Sequence, residues 1–244
     1  SPRDMAEKQA AVALMADRGN QSALAVLLNA RGSAEGPLLA DIDTAIAAIQ
    51  KSLAVWDLAQ NAWYGVSLGS VLLLEMKLEM LVELGSMAMD PIETYVLSKR
   101  NIYWPLMAFR KVQGDEAAEE LLLRALQTID HGFAEEERRK EELISNLREF
   151  KSDRIFQILV DALGDSNDDV RVMVVEGLVS YGPNRALPPL IERLVKQDES
   201  ARIQTVIMEV LADTGWSLMK YRAGLMGNMI PAYDIGPDGK IVRN

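Results

Sequence analysis

Residues 178–191, with the sequence LVSYGPNRALPPLI, are typical of a tight turn between two amphipathic helices. A similar phrase, DRGNQSALAVLL, occupies residues 17–28. The two phrases share a glycine, an alanine and a leucine at the same spacing, which are Gly182, Ala186 and Leu190 in one and Gly19, Ala23 and Leu27 in the other. A repeated helix-turn-helix phrase predicts helix pairs that stack on one another.

Further copies of the phrase follow at intervals of about thirty residues, the period of stacked helix pairs. They occupy residues 81–85, 109–126, 147–163 and 210–215. In the third of these copies Lys151 stands in the place of the glycine, so the turn has to close without a residue that favours positive φ. We therefore predict an all-α fold, an α-solenoid of about six helix pairs.

The pattern divides the chain into four segments. Residues 1–30 are predicted to form the first helix pair. Residues 31–74 are predicted to hold a linker, centred on a Gly- and Pro-containing stretch at 29–37, and two atypical helices with apolar spacing from Leu39 to Trp63. Residues 75–215 are predicted to carry the regular repeats. Residues 216–244 are predicted to form an irregular cap and a tail, either a small hairpin or an extended segment.

Composition and charge limit the kind of partner that the chain can bind. Almost half of the residues are apolar and a quarter are charged, which is typical of a folded globular chain. The formal net charge of −10 disfavours a nucleic-acid backbone, because phosphate binding needs a surface rich in lysine and arginine. We therefore predict another protein as the partner, neutral or basic, and no nucleic acid.

The N-terminal residues and the apolar runs bear on the compartment, which cysteine usage does not indicate. The chain contains no cysteine, which excludes disulfides and thiolate chemistry. Its N-terminal residues lack the apolar core of a signal peptide, and the longest apolar run, residues 66–74, is too short to span a bilayer. These observations predict a cytoplasmic protein without membrane insertion.

The repeat is most complete in one stretch, which consists of Asp168-Asp169-Val170-Arg171, Gly177-Leu178, Gly182 and Ala186-Leu187. This stretch resembles the HEAT-repeat family, particularly the short bacterial type found in phycocyanobilin-lyase-like proteins. We expect Asp168 to cap the first helix of the repeat. An aspartate-to-arginine ladder often joins neighbouring repeats in that family, and the resemblance implies that Arg171 and Arg202 form one here.

Residues 39–46, 56–61 and 65–74 form a second pattern. It is similar to the segment that leads into the first membrane helix of urea ABC transporter permeases, and the likeness implies a link to a transporter. From Glu75 onward the chain becomes charged and amphipathic. We therefore expect neither the membrane helix nor the transport activity of that family, and we place any junction near Leu74.

Histidine and cysteine, which form many catalytic and metal-binding sites, are nearly absent from the sequence. His131 is the one histidine, and its neighbours are typical of a helix end. Residues 165–169 offer oxygen ligands at alternate positions, and Glu176 stands where a calcium loop has its bidentate glutamate. Val170 occupies the position at which such a loop needs glycine, so a helix start explains the stretch better. We predict no catalytic residue, no cofactor and no metal.

Residues 135–142, EEERRKEE, pair acids with bases three or four positions later. We interpret this run as a solvated helix face, with a docking edge as the alternative. For partner binding we select aromatic and arginine side chains, because large rigid rings bury much area at low entropic cost. The candidates are Trp63, Tyr64, Tyr103, Trp104, Arg171, Arg202, Trp216 and Tyr221.

Taken as a whole, the sequence predicts a non-enzymatic, HEAT-like scaffold or adaptor that binds another protein through the surface of its repeats. A soluble accessory or regulatory module related to a urea-type ABC transporter permease is the alternative, implied by the likeness at residues 39–74. A bilin-lyase-like protein is a more distant alternative, because the likeness to that type lies in the repeat alone and no bilin-attaching residue can be assigned.

Overall fold

The computed structural model describes residues 2–61, 71–129, 134–196, 199–227 and 229–244, which form an all-α fold with a short C-terminal tail. In these residues twelve α-helices precede the C-terminal segment, as expected for about six helix pairs. The predicted fold class is therefore confirmed. The chain divides into two compact units, residues 1–121 and residues 122–244, and each is described by itself.

The first unit contains six complete α-helices, one short 3₁₀ helix and the first part of a seventh α-helix in its described residues. They are α1 (Pro2–Arg18), α2 (Gln21–Arg31), α3 (Gly36–Asn61), α4 (Val71–Glu83), the 3₁₀ helix Gly85–Ala88, α5 (Met89–Ser98), α6 (Tyr103–Gln113) and α7 (Asp115–Gln127). The boundary between the two units falls inside α7.

The N-terminal helix pair has the predicted turn. Gly19 adopts a φ of +58°, and the side chain of Asn20 caps α2 by accepting a hydrogen bond of 2.8 Å from the backbone nitrogen of Ala23. Both helices pack on α3, and the three share one apolar core. The buried residues of this core are Val12, Ala23, Leu27, Ile42, Ala45, Ile46 and Ile49.

Residues 36–61 form one long helix, α3. The prediction of two helices is therefore wrong for the part of that stretch that ends at Asn61. No glycine or proline interrupts residues 38–61, and the buried positions continue past Ile49 to Val55 and Ala59 on the same helix. The predicted linker is also shorter than expected. Because α2 extends to Arg31 and α3 begins at Gly36, only residues 32–35 separate them.

The second unit contains the remaining described elements. They are α8 (Ala134–Leu147), α9 (Asp153–Ala162), α10 (Asp168–Val179), α11 (Pro183–Leu194), α12 (Ala201–Thr214), the 3₁₀ helix Met219–Tyr221, α13 (Arg222–Leu225), β1 (Tyr233–Ile235) and β2 (Ile241–Arg243).

The turn of residues 178–191 has the predicted geometry. Gly182 has a φ of +80° and precedes Pro183, the first residue of α11. Ala186, Leu190 and Leu194 are fully buried along one face of α11. The cap of α10 differs from the expectation, because Asn167 rather than Asp168 is the N-cap. The side chain of Asn167 accepts a hydrogen bond of 2.8 Å from the backbone nitrogen of Asp169.

The turn between α8 and α9 closes without a glycine. Lys151 is not among the described residues with positive φ, and Ser152 caps α9 through a hydrogen bond of 3.1 Å from the backbone nitrogen of Ile155. The ammonium group of Lys151 donates to the backbone oxygen of Arg148 at 3.1 Å and to Oγ of Ser180 at 2.5 Å. The side-chain cap of Ser152 and the hydrogen bonds of Lys151 thus stabilise this turn in the absence of a glycine.

The C-terminal segment caps α12 with an antiparallel hairpin. β1 pairs with β2 so that Tyr233 lies opposite Arg243, and β2 packs against α12. Leu218 and Leu225 are fully buried, and the backbone nitrogen of Leu218 donates to the oxygen of Gly239 at 2.7 Å. The hairpin is therefore the form that the tail adopts, of the two that the sequence left open.

Gly177 permits a close approach inside the second unit, which makes its size critical. A β-carbon placed on Gly177 would lie 2.8 Å from Cγ of Arg148. We expect Gly177→Leu to lower the free energy of unfolding by about 2 kcal/mol, because it overpacks a filled site. At Gly224 a β-carbon would meet no described atom within 4 Å, so the control Gly224→Leu should change stability by less than about 0.5 kcal/mol. Urea unfolding followed by circular dichroism measures both, and equal losses would contradict the close-packing argument.

Candidate partner-binding surfaces

An ion-pair cluster joins neighbouring repeats of the second unit. The guanidinium group of Arg171 on α10 pairs with Asp168 on the same helix and, at 2.5 Å, with Glu199 just before α12. The side chain of Glu199 is fully buried and also pairs with Arg193 of α11. A buried carboxylate needs such partners, since an unpaired buried charge is very costly. The cluster therefore fixes α10, α11 and the start of α12 relative to one another.

Asp168 lies at the more exposed side of this ion-pair cluster. Hydrogen bonding from Arg171 is the main reason that the pKa of Asp168 lies below the usual range of an aspartate, while burial acts in the opposite direction. Ser200, which caps α12, donates a hydrogen bond of 3.1 Å from Oγ to the carboxylate of Asp168 and lowers that pKa further. The folded chain thus favours the charged form of Asp168.

The implied ladder has a second rung on the surface. Arg202 of α12 pairs with Asp169 of α10 at 2.6 Å, and both side chains are about half exposed. Arg171 and Arg202 therefore both link α10 to the α12 region, as the resemblance implied. For partner binding this requires a correction, because the side chain of Arg171 is 11% exposed and its guanidinium is committed to two carboxylates. Arg171 is not available to a partner.

The aromatic candidates lie at different places in the fold. Tyr103 and Trp104 begin α6, with their rings 5.3 Å apart at 87°, and Tyr103 is half exposed. Trp216 and Tyr221 lie in the C-terminal cap and are partly buried. Trp63 and Tyr64 fall outside the described residues. The structure therefore brings Tyr103 and Trp104 together but places Trp216 and Tyr221 in the other unit.

The oxygen ligands of the calcium alternative already have other partners. Asp165 pairs with Lys140 at 2.6 Å, Glu176 pairs with Arg148 at 3.1 Å, and Asn167 caps α10. The interpretation of this stretch as a helix start is confirmed. Among the described ranges, no group of three or more histidine, cysteine, aspartate or glutamate side chains has the arrangement of a metal site. His131 lies outside those ranges.

The charge run of residues 135–142 is only partly the solvated face that we expected. Glu135 and Arg138 are exposed, but Arg139 and Lys140 are buried. Lys140 reaches Asp165, and Arg139 donates to the hydroxyl group of Thr128 at 3.4 Å. The long stems of these cations cover apolar surface while their heads find anionic or polar partners, so Arg139 and Lys140 belong to the interior of the second unit.

A row of exposed apolar side chains lies in the first unit, at positions that we did not select. Leu73, Met76 and Met80 are 43%, 58% and 47% exposed, and we call them the α4 stripe. Their spacing places them on one face of α4. The sequence contained a signal for this stripe. Residues 71–83, VLLLEMKLEMLVE, are apolar on more than one face, and Leu74, Leu78 and Leu81 are buried.

Two clefts adjoin the second half of α3. The α3–α4 groove has a volume of about 480 Å³, and its lining residues are Lys51, Ala54, Val55, Leu58, Met80, Glu83 and Leu84. A second cleft of about 680 Å³ lies where α3 meets the α1–α2 turn and the start of α5. Its walls include Trp56 and Met87, which are both more than two-fifths exposed, and the carboxylates of Asp17 and Asp90. Helical spacing had placed Trp56 on an apolar face, whereas the structure leaves it open to a ligand.

Comparisons with known proteins support one part of the resemblance. Residues 133–212 match the family model of HEAT repeats, a stretch that lies within the second unit. Searches of curated proteins and of solved structures found no match. Over residues 133–212 the chain is thus similar to HEAT repeats. Residues 39–74 lie outside this stretch, and no comparison supports their likeness to transporter permeases. Within the described residues, no helix combines the length and the apolar character that a membrane crossing requires.

The buried and exposed rungs of the ladder should differ in their contribution to stability. We expect Glu199→Ala to lower the free energy of unfolding by about 3 kcal/mol, because it removes the buried carboxylate that the guanidinium groups of Arg171 and Arg193 share. The matched control Arg202→Ala breaks an exposed pair and should cost less than about 1 kcal/mol. Chemical unfolding of both variants checks the comparison, and a similar loss in each would refute it.

Asp168 should make stability depend on pH. Because its pKa is lower in the folded chain than in the unfolded chain, its contribution is present above the ordinary aspartate value of about 3.9 and is lost as the pH falls through the lowered value. The difference in unfolding free energy between the wild type and Asp168→Asn should therefore be constant above about pH 5 and shrink below it. Urea titrations from neutral to acid pH test this. A difference that does not change in acid would rule out the assigned cause.

Proposed function

We propose that this chain is a non-enzymatic adaptor that binds another protein through the α4 stripe and the adjoining α3–α4 groove. The observation that carries this proposal is the exposure of Leu73, Met76 and Met80 on one helix face. Three large apolar side chains in a row are more than the scattered single exposures of an ordinary surface. Their burial by a partner is favourable, since covering an apolar side chain contributes about 1.5–3 kcal/mol when it is complete.

The architecture supports an adaptor. Helical repeats stack through apolar faces and leave extended surfaces on which other molecules dock. α4 already buries Leu74, Leu78 and Leu81, so its second apolar face is surplus to the packing of the first unit. Methionine side chains are flexible and polarisable, which suits them to a surface that adapts to a partner. The similarity of residues 133–212 to HEAT repeats points the same way, because such repeats commonly serve interaction.

Some of the candidates from the sequence remain part of this proposal. Tyr103 and Trp104 begin α6, which packs against α4, so this ring pair is retained as a further anchor in the same unit. Arg202, Trp216 and Tyr221 lie in the second unit, and no observation ties them to the α4 stripe. The transporter-related and bilin-lyase-like alternatives and the cytoplasmic location stay predictions, since no feature of the described residues favours them.

Site-specific cross-linking tests the proposal on the intact chain. A photoreactive amino acid replaces Met76 in cells that naturally contain the protein, and the control carries it at Met226, which is 71% exposed in the second unit. We expect a discrete partner polypeptide to be enriched about tenfold or more at position 76 over position 226, because a residue inside an interface is held against its partner. Identical adducts at both positions, or none at position 76, would overturn the proposal. Quantitative mass spectrometry of the adducts gives the ratio.

A further inference from the structure

We infer that the segment bound by the α4 stripe is a basic amphipathic helix. This inference rests on the proposed function and adds the chemistry of the partner. It is carried by two features of α4 that occur together, an apolar row of the right spacing for a helix and a parallel row of carboxylates beside it.

The apolar row fits a helical partner. Leu73, Met76 and Met80 follow the spacing i, i+3 and i+7, so they form a straight line along α4 about two turns long. Helix-in-groove recognition uses the same spacing on the partner, whose apolar side chains enter between those of the groove. The α3–α4 groove offers space for these side chains. It has a volume of about 480 Å³ and is lined by Val55 and Leu58 of α3 and by Met80 of α4.

The carboxylate row selects the charge of the partner. Glu75, Glu79 and Glu83 are exposed and follow each other at i+4 spacing, which places them along one edge of the α4 stripe. Glu79 pairs with Lys111 at 3.0 Å, and the side chains of Glu79 and Lys111 are 62% and 43% exposed. Glu75 and Glu83 form no ion pair within the described part of the chain. Lysine or arginine on one flank of a bound helix would meet these carboxylates.

The same row disfavours other occupants. Nucleic acids and anionic lipid surfaces carry negative charge, and a chain with a formal net charge of −10 repels them at this face. A second copy of the chain brings an equal set of glutamates, and Lys77 is the one cation on α4 to offset them. A basic helix is the occupant that satisfies both the apolar row and the carboxylate row.

The test uses three synthetic peptides of about 18 residues, which is five helical turns. The first has leucine on one face and lysine elsewhere, the second replaces every lysine with glutamate, and the third is a scrambled isomer of the first. Fluorescence anisotropy with the intact chain measures binding. We expect the lysine–leucine helix to bind at least about tenfold more tightly than the scrambled isomer, the glutamate peptide not to bind, and the affinity for the first to fall with added salt.

Two variants assign the binding to α4. The double variant Glu75→Lys/Glu83→Lys should weaken the lysine–leucine helix by about tenfold or more, because attraction becomes repulsion. The control Glu209→Lys changes an exposed glutamate on α12 and should leave binding unchanged. Met80→Gln should weaken the same peptide with less change in its salt dependence, which separates the apolar from the ionic part. Circular dichroism establishes that each variant remains helical.

Each outcome decides the inference. Equal binding of the lysine and glutamate peptides, no binding of any peptide, or equal binding by the wild type and Glu75→Lys/Glu83→Lys would overturn it. So would concentration-dependent self-association that Met80→Gln abolishes, because the occupant would then be a second copy. If the inference fails while cross-linking at position 76 still captures a discrete partner, the proposed function stands with a partner of other chemistry. Failure of both measurements removes the two together.

Discussion

The second unit depends on the burial of one helix face against the next. Val170, Val174 and Leu178 of α10 are fully buried, as are Ile203, Ile207 and Leu211 of α12, and the two helices pack directly. None of these helices is long enough to be stable alone in water, so packing supplies most of the stability. The ion pairs of Arg171 and Glu199 favour this packing over arrangements that separate them, since a buried carboxylate without its cationic partners is costly.

Where glycine, apolar spacing and period agreed, the sequence was sufficient to predict the fold. Gly19, Gly114, Gly182 and Gly215 all adopt the positive φ that a tight turn between helices requires. The prediction for residues 29–61 was partly wrong for a physical reason. The glycines and the proline of residues 29–37 suggested a long linker, but Gly36 and Pro37 are the first residues of α3, which continues without interruption through residues 38–61. Composition indicates where a helix can break. The buried side chains of Val55 and Ala59 favour a continuous helix, because they extend the packed face of α3.

The candidate site was harder to predict than the fold. Ring size and charge guided the choice of residues, yet burial determines which of them a partner can reach. Arg171 became an internal residue because Glu199, distant in sequence, lies beside it. The α4 stripe escaped notice because methionine and leucine at helical spacing usually indicate a core, and the sequence does not tell which of two apolar faces a neighbouring helix will cover. Only tertiary packing distinguishes them.

The uninterrupted course of α3 has a consequence for any ligand that engages both clefts. Leu53 and Trp56 line the larger cleft, while Val55 and Leu58 line the groove toward α4. Residues of the two walls therefore alternate along the same helix, α3. A helix advances about 1.5 Å and turns about 100° per residue. The backbone hydrogen bonds of α3 therefore fix both the distance and the angle between the two clefts. A ligand that binds both clefts must therefore match a fixed distance and a fixed angle. Substitutions can change the wall of either cleft separately, whereas the insertion of one residue into α3 would change the distance and the angle between the clefts.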